Sequence, residues 1–558
     1  MKKSQHISVT LFPVLIIFFA LFSVTDHNFL KISEVRSEDT FIDRVKSSVS
    51  VSSSENLTYN PISLSYSSYF GGSTHEGWSQ IASDVNGDLI FVTSTESDDY
   101  PLMNEIQENR SSTDDMDDLV ITKFDSEMSI QFTTYYGGNG HDQVSGVEID
   151  SDNNIIIAGS TTSTDFPFTN ETNSNKANDS EADLFLLKIS PDGQTVLFSS
   201  YIAGLSPYWD VSLVLDNQDN IILCGSTNSS SFPIVNAFQS ENSSAIDSFI
   251  MKLNSDGDIL FSTYIGGDSP DIISSCTTDN NGNILFTGFT NSSDFPLVNP
   301  VQSDSSNGTW DYFVGRLSSD GQTLEFSSLL GGTLDWGVSG AVTVDSVGNI
   351  IVGGTTTGNN FPLVGANHSE YYGVELEAFI TKFTSNGEIL FSTRYGGNDL
   401  DLVSSLAVDT DNNIYVVGCT FSVDFPVTPN YYREQRIWWD AFFTKFTANG
   451  SLILLNSCMG GGDSDLASDM LLIPTSSGEI SIMFTGITRS MDFPTFNAYR
   501  GTKVDMSEWD NYICSFKVED ITTTTTSNSS SGFGAIVVIA SILAIFLIQY
   551  PKRRKKLI

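Results

Sequence analysis

The sequence predicts an all-β fold: a seven-bladed β-propeller of four-stranded blades, closed into a ring by its N-terminal strand, plus one C-terminal transmembrane helix. Three observations carry this prediction. A nine-residue motif recurs seven times, each repeat holds four short apolar runs separated by turns, and the array starts and stops out of phase with its own unit.

The motif is clearest as GSTTSTDFP at 159–167. It returns as GSTNSSSFP (225–233), GFTNSSDFP (288–296), GTTTGNNFP (354–362), GCTFSVDFP (418–426) and GITRSMDFP (486–494), with a degraded copy, TSTESDDYP, at 93–101. This spacing sets a unit of about 65 residues. A Gly-Gly pair ending at Gly72, Gly138, Gly267, Gly332, Gly397 and Gly461 is a second anchor, with Ala203-Gly204 in the third copy. Between the anchors the second unit reads VSGVEID (144–150), NIIIAGST (154–161), DLFLLKIS (183–190) and TVLFSSYI (195–202). DSDNN and SPDG join them as hairpin turns, because Asp and Asn bond their own backbone and Gly takes positive φ. The runs suit strands and are too short for helices. Each motif closes the second strand of its blade.

The ends supply the closure. ISLSYSSYF (62–70) matches a fourth strand with no first three before it, and the last unit stops after its third strand, WDNYICSFKV (509–518). The N-terminal strand therefore completes the last blade and leaves no open edge.

Outside the ring the chain divides by composition. Lys2 and Lys3 precede the apolar run 7–24, so 1–25 reads as a signal peptide or N-terminal anchor, and 26–61 as a linker. The propeller occupies 62–520, and 521–531 (ITTTTTSNSSS) is a Thr/Ser stalk. Residues 532–550 are uncharged and long enough to span a bilayer, and PKRRKKLI (551–558) is a basic tail that stays cytoplasmic. The expected location is thus the cell membrane, single-pass, with the propeller on the extracellular side. Eleven N-x-S/T sequons fit a glycoprotein, and Asn170, Asn228, Asn242, Asn291, Asn307 and Asn367 flank the motif where loops expose them. Five cysteines do not recur at equivalent repeat positions, so no disulfide framework can be read from them.

A net charge of −42 excludes nucleic acid as a partner, since phosphates need a basic surface. Some of the acids recur. Glu76, Asp142, Asp271, Asp401 and Asp465 stand four residues after the second Gly, with Asp335 three after and Asp210 six after. They enter the strand that lines the axis, so two readings stand: carboxylates ringing the channel mouth around Ca²⁺, an oxygen-seeking ion, or caps on the turn after Gly-Gly. DSDNN (150–154) and DTDNN (409–413) resemble the opening of a Ca²⁺ loop without its later Gly and Glu, and turn chemistry explains them. The third strand carries an acid and, five residues on, a base: Asp118/Lys123, Asp183/Lys188, Asp247/Lys252, Asp311/Arg316, Glu377/Lys382 and Asp440/Lys445, with Asp510/Ser515 last. Recurrence in every blade marks these as scaffold, an ion pair or a backbone-bonded base within or between blades.

The combination Y-x-x-Y-x-G-G, an acid, a strand ending in Asp, G-N-I/L, G-x-T-x-S-x-D-F-P and D-x-F-x-x-K over 62–518 resembles the SBBP family of β-propeller repeats in bacterial and archaeal secreted proteins. The resemblance implies a propeller in an extracellular setting and no established catalytic chemistry. GFG plus the apolar segment and basic tail is also similar to archaeal surface-sorting signals, without the Pro that usually precedes Gly-Phe there.

The irregular features are few. His75 and His141 occupy equivalent loops, short of the third ligand a metal centre needs. The least regular insert, VTPNYYREQRIWWD (427–440), offers Tyr431, Tyr432, Trp438 and Trp439 for stacking on sugars or anchoring a protein, or for packing of its own loop. No nucleophile or metalloprotease motif occurs. The expected role is a surface-anchored binding, adhesion or envelope-structural module for glycans or proteins. The alternative is an extracellular polysaccharide hydrolase or lyase using carboxylates at the channel mouth. An enzyme should break the seven-fold pattern around the channel; this chain mostly keeps it, which favours binding over catalysis.

Overall fold

The computed structural model describes residues 62–518, apart from 113–115, 170–181, 206–210, 245, 304–309, 335–339, 357–360, 367–375, 430, 433–437, 476–478 and 504–507. The expected signal or anchor, linker, stalk, transmembrane helix and tail lie outside the described residues. Among the described residues no helix is long and apolar enough to cross a membrane.

The 28 described strands form seven four-stranded antiparallel sheets. In blade 1 they are Glu76–Ser83, Leu89–Thr95, Asp118–Phe124 and Ile130–Tyr136, hydrogen-bonded in that order. First strands of neighbouring blades pack together around the axis, and fourth strands lie outermost. Every second strand ends on the motif's Thr, from Thr95 to Thr488. Blade 7 joins Asp465–Pro474, Ile480–Thr488 and Asp510–Val518 to the N-terminal strand Ser63–Phe70, which pairs antiparallel with Asp510–Val518, Tyr69 opposite Tyr512. The ring is closed as the offset ends predict.

Second and third strands such as LIFVTST and DLVITKF are buried on both faces, which is why they read as continuous apolar runs rather than alternating ones. The core sits between blades. Ile90, Val92 and Ile121 of blade 1 pack with Val147, Ile155 and Phe185 of blade 2, and six similar clusters complete the set. Each such side chain contributes roughly 1.5–3 kcal/mol on burial. The segment after Phe-Pro runs along the outer strand, bridging Met103 to Thr133 and Gln107 to Tyr135, with counterparts in blades 3, 4, 5 and 7. The motif therefore also steers a cover onto the edge that a sheet would otherwise expose.

The first hairpin turn holds its leading Asp by local bonds. Asp150 Oδ1 accepts the N–H of Asp152 and Asn154, and its Oδ2 accepts Asn154 Nδ2. The fourth residue of the turn has positive φ, which Gly meets in three blades (Gly87, Gly282, Gly348) and Asn or Asp in three others (Asn153, Asp219, Asn412).

In five blades the third-strand base pairs with this Asp and not with the acid five residues before it, while Arg316 of blade 4 pairs with Glu325 of its fourth strand (2.8 Å). Lys188 Nζ lies 2.9 Å from Asp150 Oδ2, and Lys123, Lys252, Lys382 and Lys445 pair likewise with Asp84, Asp216, Asp345 and Asp409. The same base reaches the next blade, donating to the carbonyl at the second position of its second hairpin turn: Lys123 to Pro191, Lys188 to Ser255, Lys252 to Ser319, Arg316 to Ser385 and Lys382 to Ala448, at 2.6–3.4 Å. Each is a latch between blades. Blade 7 breaks the series on both sides. Its fourth strand comes from the N-terminus, so it has no second hairpin turn for Lys445 to reach, and Lys445 lies over the Tyr415 ring (4.9 Å). At the base position blade 7 carries Ser515, bonded to the Ser65 and Ser481 hydroxyls.

Candidate functional site

The Gly-Gly turns and the ends of the second strands gather on one face of the ring, opposite the tight hairpins, and interlock at five described corners. At the corner between blades 1 and 2, Gly138 N–H donates to Asp142 Oδ2 (2.7 Å), which also accepts the Ser163 hydroxyl (2.9 Å). Asp165 of the Asp-Phe-Pro element accepts the Asn139 N–H (2.7 Å), and Ser163 Oγ accepts that of Gly140 (2.8 Å). Gly72 with Glu76, Gly267 with Asp271, Gly397 with Asp401 and Gly461 with Asp465 repeat the arrangement. A fourth-strand tyrosine clamps it from below: Tyr135 donates to Ser97 O (2.6 Å) and accepts the Tyr100 N–H. Gly is needed because a Cβ on Gly137 would stand 2.7 Å from Asp118 Cγ and 2.8 Å from Asp142 Oδ2.

These five acids are fully buried, capped by donors from their own corner, and do not line the channel mouth. Burial pushes the carboxyls of Asp142, Asp271, Asp401 and Asp465 up to about 7 and that of Glu76 to about 8. Among the described residues no group of three or more acidic, His or Cys side chains is placed to hold a metal ion. Asp210 and Asp335 lie outside the described residues. The third and fifth copies, in which the acid is displaced to these positions, also have Ser231 and Asn360 in place of the motif's Asp.

Around each buried corner, positions with the same backbone bonds carry different side chains. The residue before the first strand is His75, His141, Pro270, Leu400 or Ser464, and its carbonyl accepts the N–H of the residue just past the second strand: Glu96, Thr162, Asn291, Phe421 or Arg489. The residue before the third strand is Asp117, Ile246, Leu376, Trp439 or Trp509, and its carbonyl accepts the N–H of the next blade's corner acid at 2.8–3.1 Å. The contacts made there differ by blade. His141 Nδ1 faces Asp117 Oδ2 (3.4 Å), Trp439 packs on Phe421 (ring centroids 5.5 Å), and the Arg489 guanidinium lies over Trp509 (5.6 Å).

A beta-propeller repeat model, SBBP, matches residues 131–167 and 260–296. Both matches run from a fourth strand through the Gly-Gly corner to the next Phe-Pro, the element just described. The chain carries SBBP repeats. No curated protein matches the sequence. Among solved structures it is similar to a protein of unknown function from Dyadobacter fermentans (10% identity, 82% of this chain and 100% of that one, TM-score 0.41). It is also similar to a catalytically inactive virginiamycin B lyase from Staphylococcus aureus with quinupristin (12%, 82% and 100%, 0.39). A third is an ulvan lyase of a polysaccharide lyase family (10%, 77% and 92%, 0.40). At these identities and TM-scores the likenesses carry no argument about activity.

The SBBP frame separates the aromatic residues that the sequence places in one loop. Trp439 sits on the loop face against Phe421, with Trp438 half-exposed beside it in sequence, whereas Tyr432 packs on Phe516 of blade 7 and its N–H donates to Ser457 of an outer strand. Tyr431 is partly exposed, its N–H bonded to Thr428 O. Of the sequons, Asn228 is exposed, Asn242 and Asn291 are partly buried, and Asn170, Asn307 and Asn367 lie outside the described residues.

Two acids on the first strands, Asp469 and Glu148, stand outside the seven-fold pattern. Asp469, on the first strand of blade 7, accepts the Ile81 N–H of blade 1 and the Ser405 hydroxyl of blade 6. Ser212 and Ser275 do the same for the N–H of Cys276 and Val342, so this position stitches first strands together around the axis. Glu148 of blade 2 is pushed up to about 8 by burial and then by the charge of Asp469. Aligning the SBBP repeats column by column flags both, as acids where other copies have small or neutral residues.

Proposed function

We propose that this chain is a recognition module displayed outside the cell, binding glycans or proteins through the long-loop face of its SBBP propeller. The observation that carries the reading is the contrast at that face. One hydrogen-bonded frame recurs from blade to blade, and the positions it holds just above each corner differ in charge, size and aromaticity. A frame kept constant around varied side chains is what a binding surface requires, and stability alone gives no reason for the variation. The hydrolase or lyase reading has less support, because the corner acids it relied on are sealed away from any polysaccharide.

The five cysteines are buried, so single cysteines placed at exposed Val423 on the loop face or exposed Val347 on the hairpin face take a polyethylene-glycol maleimide selectively. The assay is binding of the full chain to arrays of glycans and extracellular proteins. Masking Val423→Cys should abolish any binding and masking Val347→Cys should leave it intact. The opposite pattern, or release of sugar fragments from a polysaccharide, refutes the proposal.

A further inference from the structure

We infer that an arc of aromatic faces over blades 6, 7 and 1 binds a neutral oligosaccharide. This rests on the loop face being the recognition surface and narrows its ligand class.

The arc can be followed contact by contact. Phe421 packs on Trp439 (5.5 Å). The Trp439 carbonyl accepts the Asp465 N–H (2.8 Å), and the neighbouring Ser464 carbonyl accepts that of Arg489 (2.9 Å). Arg489 lies over the Trp509 ring (5.6 Å). The Trp509 carbonyl accepts the Glu76 N–H (2.9 Å), and Asn511 Nδ2 donates to Gly77 O, directly before Trp78. Trp78 is 50% exposed and Trp438 52%, while Trp439 and Trp509 are half-buried. The equivalents of Trp439 and Trp509 in blades 1, 3 and 5 are Asp117, Ile246 and Leu376, so these rings are concentrated in adjacent blades. Trp310 of blade 4 holds the same position and packs against the core cluster between blades 4 and 5.

The chemistry fits a sugar. A backbone-held indole, one braced by Phe421 and one by a guanidinium, presents a flat apolar face at little entropic cost. Exposed Arg489 and half-buried Ser464, Asp463 and Glu96 at the same corners supply polar edges for hydroxyls. Charge narrows the class further. At −42 the protein repels polyuronates and sulfated chains, which leaves neutral glycans. A basic protein is the competing occupant, and its binding would fall steeply with salt.

The test is tryptophan fluorescence of the full chain, titrated with neutral gluco-, galacto-, manno- and N-acetylglucosamine oligosaccharides and with a polyuronate, at low and high salt. A saturable change with one neutral class, equal at both salts, is expected. Trp509→Ala and Trp78→Ala should each weaken it about tenfold, while Trp509→Phe, which keeps a ring, should stay within about threefold. Thermal melts show which variants remain folded. No response to any neutral saccharide, or affinity unchanged in folded Trp→Ala variants, overturns the inference. If a protein or polyuronate binds instead and is lost on masking Val423→Cys, the recognition face survives and the saccharide assignment falls. If masking neither face alters any binding, both fall.

Discussion

Replacing Lys188 with Met removes the charge from one inter-blade latch while keeping much of the stem. Its Nζ lies 2.9 Å from Asp150 Oδ2 and 3.1 Å from Ser255 O, with the Lys and Asp side chains 9% and 4% exposed. Breaking a buried pair from one side costs about 3–5 kcal/mol, mostly for the stranded charge. Asp150 keeps three local hydrogen bonds, so the lower end applies, and the lost bond to Ser255 adds about 1 kcal/mol. The expected loss is about 4 kcal/mol at neutral pH, read by urea unfolding with an unchanged m-value. Adding Asp150→Asn removes the stranded charge and should recover about half. Burial alone would raise the Asp150 carboxyl, but bonds from Asn154 and Lys188 overcome it and hold it below 3.8. The stabilisation is therefore present above that value and lost only as pH falls through the lower folded one. A cost under about 1 kcal/mol, or a double variant no more stable than the single, would refute the latch.

The corner acids act in the opposite sense. Their folded values near 7 or 8 lie above the usual carboxylate range, so their protonated form is favoured by the fold and stability drains away as pH rises through about 4 to 8. Melting temperature should fall from pH 5 to pH 8, and Asp142→Asn should flatten that slope; a melting temperature rising over this range contradicts the reading. Calcium at millimolar level should leave melting unchanged, because the corner carboxylates face N–H and O–H donors where a cation site needs oxygen acceptors; a rise of several degrees would place an ion there. Gly137→Ala should cost about 1–3 kcal/mol through the clash with Asp118 and Asp142, measurable by denaturation, and no loss would mean the corner relaxes freely. Deleting 62–70 should expose the edge of Asp510–Val518 and produce soluble aggregates on size exclusion; a monomer of unchanged stability would deny its closing role.

Blade number, strand limits and closure were legible because turn chemistry and phase repeat in every unit: a motif that always carries Thr five residues before Pro's partner aromatic locates the end of each second strand. The recurrent base is the scaffold the sequence indicates, ion-paired within its blade and backbone-bonded to the next, but its partner acid is the turn residue, for a reason the sequence does contain. Residues five apart on a strand point to opposite faces, so Asp183 and Lys188 have no common side on which to meet, whereas the turn residue Asp150 does reach the base. The corner acids were found by position, but not their burial, which depends on Asp165 and Ser163 arriving from another loop. The aromatic insert looked like one cluster because its residues are close in sequence, and the outer strand and the loop face pull its two ends apart.

The strand Ser63–Phe70 is the first piece of the ring to be made and the last to be placed, since Ser65 bonds Ser515 across 450 residues. At synthesis rates of about 5–20 residues per second it waits roughly 20 to 90 seconds for its partner, and contacts of such separation form late in folding. Blade 7, the one without a cationic latch on either side, is also the one left open to receive it. Completing this ring is thus a proofreading step: a chain that stops early has no place for its own beginning, and carries an unpaired edge that marks it as unfinished.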